Sequence, residues 1–307
     1  MALFVAFNIG VLAVLAIDLG IFHKKAHTVS VKEAATWSTV WITLSLGFAG
    51  VIFALYGRQP ALEFVTGYLI EYSLSIDNIF VIVLIFAYFR IPEKYQHRVL
   101  FWGIIGALLM RGSMIAAGAF LIARFHWIIY VFGAFLVFTG IRMATQDESD
   151  IEPEANPVLR LVRRLLPVTH DYRGQAFFVR EAPKRGDAIR LMATPLFVVL
   201  VLVETTDLIF AVDSIPAIFA VTRDPFLVYT SNVCAILGLR SLYFLLAGVI
   251  HKFHFLKLGL AVVLTFVGAK MLLGSVYEIP IQISLLIIAA VLGLAVAASL
   301  VFPRNTA

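Results

Sequence analysis

Long apolar runs constrain this chain more than any other feature. Between polar breaks they last about twenty residues, enough for a helix to cross roughly 30 Å of hydrocarbon at about 1.5 Å per residue. Nine runs qualify, near residues 3–22, 38–57, 62–89, 99–123, 127–145, 193–220, 228–250, 258–274 and 281–301. A helix satisfies its own backbone hydrogen bonds where no water is present. With 61% hydrophobic and 14% charged residues, the composition also belongs to the membrane class. The chain therefore reads as an all-α polytopic membrane protein in contact with a lipid bilayer. The first run has no basic leader and no small-residue cleavage site, and His23-Lys24-Lys25 follows it. It reads as a retained span and not as a signal peptide.

The formal charge of +5 does not indicate a nucleic-acid partner, because the basic residues lie between the apolar runs and form no stripe on one element. If all nine runs cross, the loops on the N-terminal side carry Arg58, Arg124 and Arg223, and the other loop lysines and arginines face the opposite side. The positive-inside rule then predicts an outside N-terminus and a cytoplasmic C-terminus. Cys234 is the only cysteine, so no intrachain disulfide or paired-thiol redox motif can form.

The runs divide the chain into two N-terminal spans (1–60), a three-span unit (61–145), a cytoplasmic linker (146–192), a second three-span unit (193–274) and a final span with its tail (275–307). The linker opens acidic, turns basic and contains Pro153, Pro157, Pro167 and Pro183. Local order at most is expected there, with 176–180 and 188–192 as strands of a small hairpin.

The two three-span units are related. Phe125, His126, Phe138, Gly140 and Met143 recur 128 positions later as Phe253, His254, Phe266, Gly268 and Met271. Arg111 recurs as Arg240, Asp77 as Asp213, and Glu71 falls on Asp207. Charged residues inside membrane spans rarely share a register by chance. Because each unit has an odd number of spans, the second must lie upside down relative to the first, which predicts an inverted-topology repeat with a site near the membrane midplane.

Five carboxylates, Glu71, Asp77, Glu204, Asp207 and Asp213, fall well inside these spans. At about 3 kcal/mol each on an insertion scale, they would oppose folding by an amount similar to the whole stability of a typical domain, about 5–15 kcal/mol. That points to a functional role. Asn78, Ser214, Ser73, Ser75, Thr205 and Thr206 add neutral oxygens nearby. Carboxylate, amide and hydroxyl oxygens suit hard divalent cations such as Mg²⁺, Ca²⁺ or Mn²⁺. Glu204 and Asp207 share a helix face, whereas Asp213 points about 180° from Glu204. A break at Asp213, caused by Pro216, would let the three meet, so a discontinuous sixth span is expected. Arg111 and Arg240 read as supporting charges that pair with the carboxylates. His126 and His254 read as interfacial residues, and Asp18 as a helix-end residue.

The segments Glu71 to Asn78, Glu204 to Pro216 and Asp18 to His27 together resemble the TerC family over most of the chain. Ser231-Asn232 and Leu237-Gly-Leu-Arg240 bring it closest to the Alx-like branch. Members are bacterial inner-membrane proteins linked to tellurium resistance and, in that branch, to manganese export. The resemblance implies a metal path made of Glu71, Asp77, Asn78, Glu204, Asp207, Asp213 and Ser214.

The expected function is secondary export of a divalent cation, Mn²⁺ by the resemblance, with protons as candidate exchange ions. Asp77 and Asp213 are the expected central ligands. No Walker A motif is present, and no enzymatic activity is expected. The alternative expectation is a membrane scaffold or stress-response partner in which a carboxylate–arginine network is structural.

Overall fold

The computed structural model describes residues 2–17, 30–125, 127–145, 160, 164, 166–182, 189–247, 253, 255–274, 276–277 and 279–302. Asp18, His126 and His254 lie outside the described residues. The described helices are α1 (Ala2–Ile17), α2 (Val31–Tyr56), α3 (Arg58–Tyr88), α4 (Glu93–Arg124), α5 (Ile128–Thr145), α6 (Pro195–Phe219), α7 (Pro225–Leu246), α8 (Leu256–Leu273) and α9 (Ile281–Val301). Eight of them, α2 to α9, are long and apolar enough to cross a bilayer. α1 is described over 16 residues, about 24 Å of helix.

Local chemistry sets several helix ends. Ser30 caps α2 by accepting a hydrogen bond from the Glu33 amide at 3.2 Å, and Asp224 caps α7 by accepting one from the Phe226 amide at 2.9 Å, each satisfying an amide that the helix leaves open. Pro195 and Pro225 occupy first-turn positions, where their missing amide costs nothing. Gly57 alone separates α2 from α3 and has φ +88°, a conformation side chains disfavour.

The expected break in the sixth span is absent: α6 runs as one helix from Pro195 through Pro216 to Phe219. Pro216 has no amide to offer the Val212 carbonyl, and α6 continues past that one missing bond. The Ala220 amide still bonds to the Pro216 carbonyl at 3.0 Å.

α7 is the most enclosed span, with 89% of its apolar window buried against 17–56% for the others. α2, α3 and α4 pack around it, while α3 and α4 also hold α6. α5 pairs with α8, and α9 lies against α8 and α3. The α5–α8 crossing depends on small residues. A Cβ on Gly268 would lie 2.7 Å from the Gly133 carbonyl oxygen, and one on Gly140 would lie 2.7 Å from the Ala261 carbonyl oxygen. Early α5 thus meets late α8 and late α5 meets early α8, so the helices run antiparallel with their backbones in close contact.

Two apolar clusters fill the bundle at different heights. One joins Ile70 and Leu74 of α3, Ile115 of α4, Ala211 and Ile215 of α6 and Val228 of α7. The other joins Ile79 and Ile82 of α3, Leu100 of α4, Leu202 and Val203 of α6 and Leu239 of α7. A polar layer lies between them.

The described part of the linker contains the small hairpin expected from the sequence. β1 (Phe178–Glu181) and β2 (Arg190–Ala193) form an antiparallel pair, with Phe178 opposite Ala193 and Glu181 opposite Arg190, one to two residues beyond the expected strands. Val168, Tyr172 and Phe177 pack against the second apolar cluster. Tyr172 donates a hydrogen bond to the Phe89 carbonyl at 2.7 Å, fastening the linker to the α3–α4 turn. Apolar side chains and this anchor outweigh the polar composition.

Candidate functional site

α3 contributes Glu71, Ser75 and Asn78, spaced at four and three residues and hence on one face, each no more than 2% exposed. α6 contributes Asp207 and Ser214, seven residues apart on one face, both buried. α4 contributes Arg111, 2% exposed. Its guanidinium reaches both flanking helices. It donates from Nη2 to Asp207 Oδ1 at 2.7 Å and from Nε to Asp207 Oδ2 at 3.0 Å, a two-point fork. Its Nη1 pairs with Glu71 Oε1 and lies 3.4 Å from Ser214 Oγ. Asn78 closes the group by donating from Nδ2 to Asp207 Oδ1 at 2.8 Å.

Four of the seven residues of the anticipated metal path, Glu71, Asn78, Asp207 and Ser214, therefore gather around Arg111. Of the other three, Glu204 shares the Asp207 face of α6, while Asp77 and Asp213 lie on other faces of their helices. Asp213 faces α5, where Thr139 Oγ1 donates to its Oδ1 at 3.2 Å. With α6 unbroken, the 180° between Glu204 and Asp213 is retained. Asp77 is half-buried on a neighbouring face of α3. Glu204 is half-buried against α4, where Gly106 leaves it room: a Cβ there would collide with the carboxylate. Arg240, the sequence counterpart of Arg111, lies with its Nη1 3.2 Å from His97 Nε2. Among the described residues no three His, Cys, Asp or Glu side chains group as a metal site. Any cation here would meet a mixed set of oxygens.

That set is visible in the buried hydrogen bonds. Ser73, Thr205 and Thr206 return their hydroxyl protons to the carbonyls of Leu69, Val201 and Leu202, at 2.7, 2.7 and 2.8 Å, as hydroxyls in membrane helices commonly do. In contrast, Glu71 Oε2, Ser75 Oγ, Asn78 Oδ1 and Glu204 Oε2 are buried and accept or donate no hydrogen bond. Open buried oxygens are costly and call for a partner. Thr139 and His97, which meet Asp213 and Arg240, carry no signal in the sequence. They belong to distant segments, and no spacing motif points to them.

A family model described as the integral membrane protein TerC family matches residues 56–307. An uncharacterized membrane protein of Myxococcus xanthus is 52% identical over 302 residues, covering 98% of this chain and 92% of its own. The Escherichia coli (strain K12) protein named "Putative membrane-bound redox modulator Alx" is 50% identical over 295 residues, covering 93% of this chain and 90% of its own. A Rickettsia bellii membrane protein is 41% identical over 291 residues, covering 95% and 94%. No solved structure matches. Family match and relatives together place this polytopic chain in the TerC family of integral membrane proteins.

Proposed function

We propose that this chain is a secondary transporter that exports a hard divalent cation, foremost Mn²⁺, from the cytoplasm of a bacterium across its inner membrane, with protons as the exchanged ions. The observation that carries this reading is the set of open buried oxygens, Glu71 Oε2, Ser75 Oγ, Asn78 Oδ1 and Glu204 Oε2, beside the Arg111-bridged carboxylates. Their oxygen-only chemistry favours Mg²⁺, Ca²⁺ or Mn²⁺ over softer metals, and the family resemblance supplies manganese. A cation entering here shares Glu71 with Arg111 and weakens the hold of Arg111 on the carboxylates. Protons that neutralise a carboxylate in the empty carrier would offset the charge.

The inverted repeat supports alternating access. α5 and α8, equivalent in sequence, cross antiparallel through Gly133 with Gly268 and Gly140 with Ala261. The α3–α7 contact has its counterpart in α4–α6. This exchange of contacts is what a two-fold axis in the membrane plane would produce. The redox role in the Escherichia coli relative's name has no matching dithiol here, since Cys234 is the only cysteine and is buried.

Manganese flux in proteoliposomes with an imposed pH gradient and competing Mg²⁺ and Ca²⁺ tests the proposal. Asp207→Asn and Glu71→Gln should abolish flux while the protein remains membrane-inserted. Wild-type flux in both variants would reject the site.

A further inference from the structure

The acidic motifs lie on α3 and α6, but an open polar side chain on α7 faces the same layer. Asn232 has no exposed surface, and neither its Nδ2 nor its Oδ1 has a hydrogen-bond partner. An amide buried in this way is strongly disfavoured unless something meets it.

Helix phase shows where it points. Val228, one turn before it, and Leu239, two turns after it, share its face. Val228 belongs to the apolar cluster with Ile70, Leu74 and Ile215, and Leu239 to the cluster with Ile79, Ile82 and Leu202. Ile236, one turn after it, packs with Ile104 and Ala107 of α4, so Asn232 lies between the two clusters on the side of α7 turned toward α3 and α4. The same interval holds Ser75 on α3, Arg111 on α4 and Asp207 on α6. Asn232 is α7's contribution to the polar layer.

We propose that Asn232 Oδ1 is a ligand for the transported cation, completing with Glu71 Oε2, Ser75 Oγ and Asn78 Oδ1 a site for a partly dehydrated divalent ion. This rests on the transport reading above and adds a residue outside the acidic motifs. It also divides the labour within Glu71: Oε1 serves Arg111, while Oε2 is open toward the cation. Neutral amide and hydroxyl oxygens raise the ligand number toward what a hard cation needs without adding further buried charge.

The test is Mn²⁺ binding by the purified full chain in detergent, read from the free-ion electron paramagnetic resonance signal. Asn232→Leu removes the oxygen at similar volume and should weaken binding about tenfold or more, whereas Asn232→Asp should retain it. Glu71→Gln is the control that should lose binding. If Asn232→Leu binds like wild type while Glu71→Gln does not, the inference falls and the transport site stands, with Asn232 meeting internal water instead. If wild type binds no Mn²⁺, both fall. Should Asn232→Leu fail to remain monodisperse, Asn232→Ala is compared with Asn232→Asp on the same criterion.

Discussion

Arg111 shows how one residue organises a membrane interior. A single guanidinium joins α4 to α3 through Glu71 and to α6 through Asp207, which no lysine could do with the same fork. Removing one partner of a buried charge pair costs about 3–5 kcal/mol. Arg111→Leu should therefore lower the thermal unfolding midpoint in detergent well below that of wild type. If Glu71 and Asp207 also bind the cargo, added Mn²⁺ should restore part of the loss. The distinction between Ser73 and Ser75 belongs to this scale too. Both stand in one acidic motif, but Ser73 spends its hydroxyl proton on Leu69 and Ser75 does not. Ser75→Ala should reduce Mn²⁺ affinity with little effect on stability, and Ser73→Ala should leave affinity unchanged.

At the level of elements, backbone contact governs the α5–α8 pair. Gly268→Val places branched carbons where the Gly133 carbonyl and the Val137 amide now sit. Overpacking of this kind costs about 1–3 kcal/mol, so the variant should unfold at lower temperature, whereas the same change at Gly293, whose Cβ position meets nothing, should not. The linker ribbon has a different dependence. Arg173 donates to Glu181 at 2.7 and 3.1 Å, and this hydrogen bonding holds the Glu181 carboxyl below its ordinary value of 4.5. A lowered folded-state value means the contribution is present above 4.5 and lost as the pH falls through the folded-state value. Amide exchange across β1 and β2, corrected for intrinsic rate, should therefore become faster in acid, and Glu181→Gln should remove that dependence.

Across the whole molecule, the connections sort to two sides. Leu3 and Phe4 of α1 line one cavity with Tyr56 and Pro60 at the α2–α3 turn and with Asp224 to Leu227 at the α6–α7 turn. The linker meets the α3–α4 turn through Tyr172 and Phe89. Each grouping agrees with helices that alternate direction through a bilayer. If the basic side is cytoplasmic, a cysteine replacing Arg223 should react with an impermeant thiol reagent from outside intact cells. One replacing Gly174 should react only after permeabilisation. The reverse pattern would invert the orientation.

The apolar runs alone determined the class of the molecule, the positions of eight spanning helices and the presence of buried carboxylates, because hydrocarbon tolerates few structures and charged residues stand out within them. The small ribbon was legible to within two residues from its strand composition. Which carboxylates meet was a tertiary decision. α6 stays continuous past Pro216, so Asp213 turns to Thr139 while Asp207 turns to Arg111. Packing likewise sets Arg111 between two carboxylates and brings Arg240 beside His97. Spacing along one helix gives direction about that helix's axis, whereas only the packing of α3, α4, α6 and α7 brings those directions into one polar layer.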